Sequence, residues 1–123
     1  MATIYTQVGE EKIVDLTDGA SATVLSATNA KIGWGTGAGT AAKADTILFT
    51  EASEARVAAT VTQPTADKNQ WVATLTANAA KTITNAGLFD ALTAGILVVH
   101  GDFTGIALAL GDKIEFTISL EQT

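Results

Sequence analysis

Residues 113–121 read KIEFTISLE, in which Ile114, Phe116, Ile118 and Leu120 alternate without a break with Lys113, Glu115, Thr117, Ser119 and Glu121. Successive side chains of a β-strand point to opposite faces, so this stretch is a strand with one face on a core and one in water. Ile114, Phe116, Ile118 and Leu120 are expected to be buried, with Glu115, Thr117 and Ser119 facing outward. Just upstream, residues 103–112 (FTGIALALGD) repeat the pattern with Ile106, Leu108 and Leu110, and Gly111-Asp112 supplies a turn. Together the two stretches predict a terminal β-hairpin.

The same reading extends toward the N-terminus. QPTADKN (residues 63–69) holds the only proline and joins ARVAATVT, with Val57, Ala59 and Val61 on one face, to QWVATLTA, where Trp71, Ala73 and Leu75 alternate with Val72, Thr74 and Thr76. KTITNAGLFDA (81–91) is half-apolar with an expected bend at Asn85 to Gly87, and GILVVHGDF (95–103) is a continuous apolar run of the kind buried on both faces. ATVLSAT (22–28) and AKIGW (30–34) read as two further short strands. About seven or eight strands result, at spacings near the roughly 8–12 residues of sandwiches and barrels. The fold class is therefore all-β: a single-domain antiparallel β-sandwich over residues 21–123, jelly-roll or immunoglobulin-like. QVGEEKIVDL (7–16) fits a short helix or an extended arm, so residues 1–20 stand as an N-terminal arm or short helix.

Composition narrows the function classes. The chain has 123 residues, no cysteine, one proline and a net charge of −6. It is long enough for one domain with its own core, and neither disulfides nor thiol chemistry are available. Alanine and threonine make up about a third of it, so burial energy per core residue is small and close backbone packing must supplement it. Seven basic residues scattered singly form no patch for nucleic acid or an anionic membrane. The opening MATIYTQVGEEKIVDL lacks the basic start and apolar run of a signal peptide, so synthesis and folding in the cytoplasm are expected.

The stretch IGWGTGAGTAAKADT (32–46) places glycine at 33, 35, 37 and 39. A dinucleotide fingerprint begun at Gly33 or Gly35 would need its third glycine at Ala38 or Thr40, and Lys43 is followed by Ala44 where a phosphate-binding loop needs Ser or Thr. The glycines are read instead as a structural loop where the backbone of another chain comes close. His100 and Asp102 share one side of a strand, yet none of Ser21, Ser26, Ser53 or Ser119 sits in a nucleophile turn, so His100 is expected to be structural. One histidine without cysteine excludes the common zinc sets, and Asp15-Leu-Thr-Asp18-Gly lacks the ligand density of a calcium loop. Trp34, Trp71 and Phe89 are read as core in preference to a sugar-stacking platform. No catalytic residue, metal or cofactor is expected, and the chain reads as a binding or structural module.

Four segments, IGWGTGAGTAAKADT, LFTEASEARV, QWVATLTANAAKTITNAGLFDA and LALGDKIEFTISL, resemble small structural proteins of tailed-bacteriophage virions. The likeness runs from about Lys31 onward and leaves the first 20 residues aside. It implies a capsid decoration (cement) protein on the capsid surface, with the major capsid protein and neighbouring copies of itself as partners; a tail or fibre-tip component, or a carbohydrate-binding sandwich, is the alternative. Two surfaces are candidates for contact. One is the N-terminal segment with Ile4, Tyr5, Val8, Ile13, Val14 and Leu16, read as an arm that orders on the shell and is dispensable for folding. The other is the glycine loop with Gly33, Trp34, Gly35, Gly37 and Gly39, whose bare backbone is open to a partner.

Overall fold

The computed structural model describes residues 2–20 and 23–121. In chain order the elements are β1 (Ala2–Tyr5), α1 (Gln7–Asp18), β2 (Lys31–Gly35), β3 (Val57–Ala58), β4 (Thr60–Thr65), β5 (Lys68–Thr76), β6 (Lys81–Phe89), β7 (Leu97–Leu108) and β8 (Lys113–Glu121). The strands form two antiparallel sheets, a five-stranded one in the order β1-β7-β6-β2-β3 and a three-stranded one in the order β4-β5-β8. This is the expected all-β sandwich, with eight strands.

The core lies between the sheets. Ile32, Trp34, Ala86, Leu88 and Val99 from the larger sheet meet Trp71, Ala73 and Leu75 from the smaller. The Trp34 ring stands edge-on to Phe116 at a centroid distance of 6.2 Å. Each large side chain buried here contributes about 1.5–3 kcal/mol. Along β5, Trp71, Ala73 and Leu75 are buried while Thr74 and Thr76 are exposed, as their alternation predicts. Proline 64 falls on β4, an edge strand with a register shift between Thr62 and Thr65, where a missing amide costs no ladder bond.

Strand β8 keeps its two faces: Lys113, Glu115, Thr117, Ser119 and Glu121 are exposed, and Ile114, Phe116, Ile118 and Leu120 turn inward. The inward residues are only half-buried, less than expected, because β8 is the edge of the smaller sheet and its apolar face is covered from one side only. The terminal hairpin does not form. Strand β7 pairs with β6 and β1, whereas β8 pairs with β5 over nine consecutive residues. The turn at residues 109–112 is present, closed by Asp112 N–H on Ala109 O and by Ala109 N–H on the Asp112 carboxylate. Reciprocal bonds join it to Ala77 at the end of β5, so it carries the chain from one sheet to the other. Ile106 and Leu110 are consequently exposed and only Leu108 of that trio is buried.

Further differences concern the upstream half. β6 continues unbroken through Asn85 to Gly87, with register shifts against β7 between Ile83 and Asn85 and between Leu88 and Phe89. Residues 23–28 form no strand; a turn bonded to Ser26 O leads directly into β2. Residues 2–20 are not a detached arm. β1 is an edge strand of the larger sheet, paired with residues 99–102 of β7. α1 then starts at Thr6, whose hydroxyl accepts the Gly9 amide and donates to Leu97 O at 2.5 Å. Gly9 is required by contact, since a Cβ there would lie 2.5 Å from Val98 O. The helix is fastened by an ion pair of 2.9 Å between Lys12 and Asp90, both nearly excluded from solvent.

Candidate functional site

Opposed residues of an antiparallel sheet share a face, so Gly33, Gly87, His100 and Ile4 form one rung on the outer side of the larger sheet and Gly35, Asn85 and Asp102 form the next. With glycine at three of these positions, that side is nearly flat. Residues 36–50, which contain no regular element, lie on it. Thr36 and Gly37 amides donate to Thr50 O and Phe49 O, and Thr84 Oγ1 donates to Gly37 O. A Cβ on Gly35 would sit 2.5 Å from Phe49 O. The spaced glycines thus admit backbone, and the backbone they admit belongs to this chain.

Polar side chains fix the overlying segment. His100, fully buried, has Nδ1 2.7 Å from Asp45 Oδ2 and Nε2 3.0 Å from Asn85 Oδ1. The Asn85 amide is oriented by Phe49, whose N–H donates to Oδ1 at 3.0 Å and whose carbonyl accepts from Nδ2 at 3.1 Å. Both imidazole nitrogens therefore face side-chain oxygens. Phe49 also lies against the imidazole, at a centroid distance of 4.6 Å. Asp102, on the adjacent rung, accepts the Ala41 amide at 2.6 Å. At the far end Gln7 N–H donates to Lys43 O and the Lys43 ammonium pairs with Glu10, which joins the segment to α1.

Two more charged centres lie nearby. The Arg56 guanidinium grips Glu51 through Nε at 2.7 Å and Nη2 at 2.9 Å, donates to Ala91 O and Ala94 O, and stacks 3.4 Å over the Phe89 ring. Across the sandwich edge Glu54 accepts from Trp34 Nε1 at 3.1 Å and the Asn78 amide at 2.9 Å, and pairs with Lys81 at 2.5 Å. Burial opposes ionisation of Glu54, but Lys81 and these donors outweigh it and hold the carboxyl down to about 2. Its contribution to stability is thus present above the ordinary 4.5 and lost as pH falls toward 2. Glu54→Gln is expected to flatten stability against pH across that window by roughly 2–3 kcal/mol. Urea midpoints at pH about 5.5 and about 2.5 check this; equal acid sensitivity of variant and parent would contradict it.

The anticipated contact residues separate into two groups. Gly33, Trp34 and Gly35 are buried, and Gly37 is half-covered, so the proposed open glycine backbone is occupied; Gly39 alone of that set is exposed. Ile4, Tyr5, Val8, Ile13 and Leu16 are half-buried, and Val14 on α1 is exposed. Trp34, Trp71 and Phe89 are buried and offer no face for a sugar. The histidine's partner is Asp45, 55 residues away in sequence, and not Asp102; spacing within a strand could not reveal it. Asn85, Glu54 and the Glu51–Arg56 pair carried no motif either.

Among the described residues no group of three or more His, Asp or Glu side chains is placed to hold a metal ion. No helix among them is long and apolar enough to cross a membrane. Compared with family models, curated proteins and solved structures, the chain matches none.

Proposed function

We propose that this chain is a non-enzymatic structural protein of a tailed-bacteriophage virion, one that binds the outside of the assembled capsid and stabilises it. The observation that carries this reading is where the phage-like segments meet. IGWG forms β2, NAGLF forms the half of β6 paired to it, and the LFTEASEARV segment lies along β2 through Ala52 N–H on Trp34 O and a bridge between Gly35 and Glu51. The residues that resemble virion proteins are thus the scaffold itself. Side chains able to do chemistry, His100, Asp45, Asp102, Arg56 and Glu54, are bonded to backbone or to one another and hold segments in place. A rigid subunit with its long loops fastened suits a protein that must brace a shell without changing shape.

Attachment falls to the outer side of α1. Val14 is exposed, with Ile13 and Leu16 half-buried next to it and Val24 exposed across a cleft. Apolar residues ringed by Glu11 and Asp15 fit a seat on the major capsid protein that is apolar at its centre and basic at its rim. Quantitative mass spectrometry of purified particles tests the reading. Hundreds of copies per particle are expected, whereas a handful would place the chain at a tail or fibre tip. The carbohydrate alternative has lost its aromatic platform to the core.

A further inference from the structure

The smaller sheet has three strands and the larger has five, and β8 is the edge where cover runs out. Its side away from β5 pairs with no strand among the described residues. Between β8 and β7 a cleft of about 220 Å³ opens onto the core, lined by Ala86, Val99, Phe103, Phe116 and Ile118. Natural edges are normally protected by proline, a bulge, an inward charge, shortness or charged side chains along the strand. Of these β8 has only the outward Lys113, Glu115 and Glu121: it is nine residues long, holds an unbroken register with β5, and its inward residues are all apolar.

We propose that two copies of this chain associate through β8, strand to strand and antiparallel, about a two-fold axis at Thr117. The strand is its own complement in that register. Lys113 of one copy stands opposite Glu121 of the other, Ile114 opposite Leu120, Glu115 opposite Ser119, Phe116 opposite Ile118, and Thr117 opposite Thr117. Opposite charges meet at both ends, and every apolar residue faces an apolar one. Shifting the pairing by one residue sets apolar residues against polar ones and turns the faces over. Moving the axis to Ile118 places Glu115 opposite Glu121, and moving it to Phe116 gives up both ion pairs. The result is a continuous six-stranded sheet whose two copies of Phe116 and Ile118 close the clefts, an isologous interface of the commonest oligomer symmetry.

Thr117 is exposed, so substituting it leaves the core of each copy untouched. Sedimentation equilibrium of the full chain is expected to show a monomer–dimer equilibrium. Thr117→Lys and Thr117→Glu each set like charges face to face on the axis and should weaken association at least roughly tenfold, while an equal mixture of the two recovers it. Because the chain has no cysteine, Thr117→Cys also reads the register. Oxidation should give covalent dimers, whereas Glu115→Cys alone should give few and Glu115→Cys mixed with Ser119→Cys many. A parent that stays monomeric at every concentration, or a Lys/Glu mixture no tighter than either variant alone, overturns the proposal.

Discussion

A chain lacking residues 1–18 is expected to lose the cooperative unfolding transition of the full chain, or to melt more than about 15 °C lower. Truncation strips the larger sheet of β1 and exposes the edge of β7 along residues 99–102. It removes the Thr6 hydroxyl that caps α1 and bonds Leu97 O, and the helix that lies against the Val98 backbone. It also leaves Asp90, only 10 % exposed, without Lys12, and breaking a buried pair from one side costs about 3–5 kcal/mol. A typical domain has about 5–15 kcal/mol in total, so these losses together consume most of it. Thermal melts followed by circular dichroism decide the matter. A truncated chain melting cooperatively within about 5 °C of the full one would show the segment to be an appendage after all.

Asn85→Ala carries the second large effect. The side chain is fully buried and serves four partners at once, His100 Nε2, Phe49 N–H, Phe49 C=O and Thr84 Oγ1. Alanine has no group for any of them, and each buried polar group left unsatisfied costs about 1–3 kcal/mol. The variant is expected to lose about 3–5 kcal/mol in urea unfolding, with residues 36–50 exchanging their amide hydrogens far faster. Asn85→Asp keeps an acceptor for Phe49 N–H and His100 but not the donor, and should fall between parent and alanine. A loss below about 1 kcal/mol for Asn85→Ala would mean that the overlying segment is held by other contacts.

The alternation of β5 and β8 was legible because one face of each is apolar and the other polar, and QPTADKN located the hairpin between β4 and β5. Gly111-Asp112 was legible as a turn but not as a crossing between sheets. Two strands joined by a short turn give the same local pattern whether they pair or part, and bonds to Ala77, far away in sequence, decide between the two. QVGEEKIVDL was ambiguous because its helix depends on a Thr6 cap and on contact with β7 as much as on its own propensity. ATVLSAT had the composition of a strand, but its described residues 23–28 join no sheet. At the outer face the spaced glycines marked a close backbone approach, but the backbone expected there was another chain's and the one present is residues 36–50 of this chain. Which backbone approaches was hidden, because Asp45, Phe49 and Asn85 meet His100 only through long-range folding.

As proposed above, this chain is a building block of a virus shell. Cryo-electron microscopy of intact particles carrying it tests that most directly. Density for a two-sheet sandwich should appear at regularly repeated positions on the outer capsid surface, with α1 and Val14 turned toward the major capsid protein. Shells bare at those positions, with such density confined to the tail or absent from the particle, would contradict it.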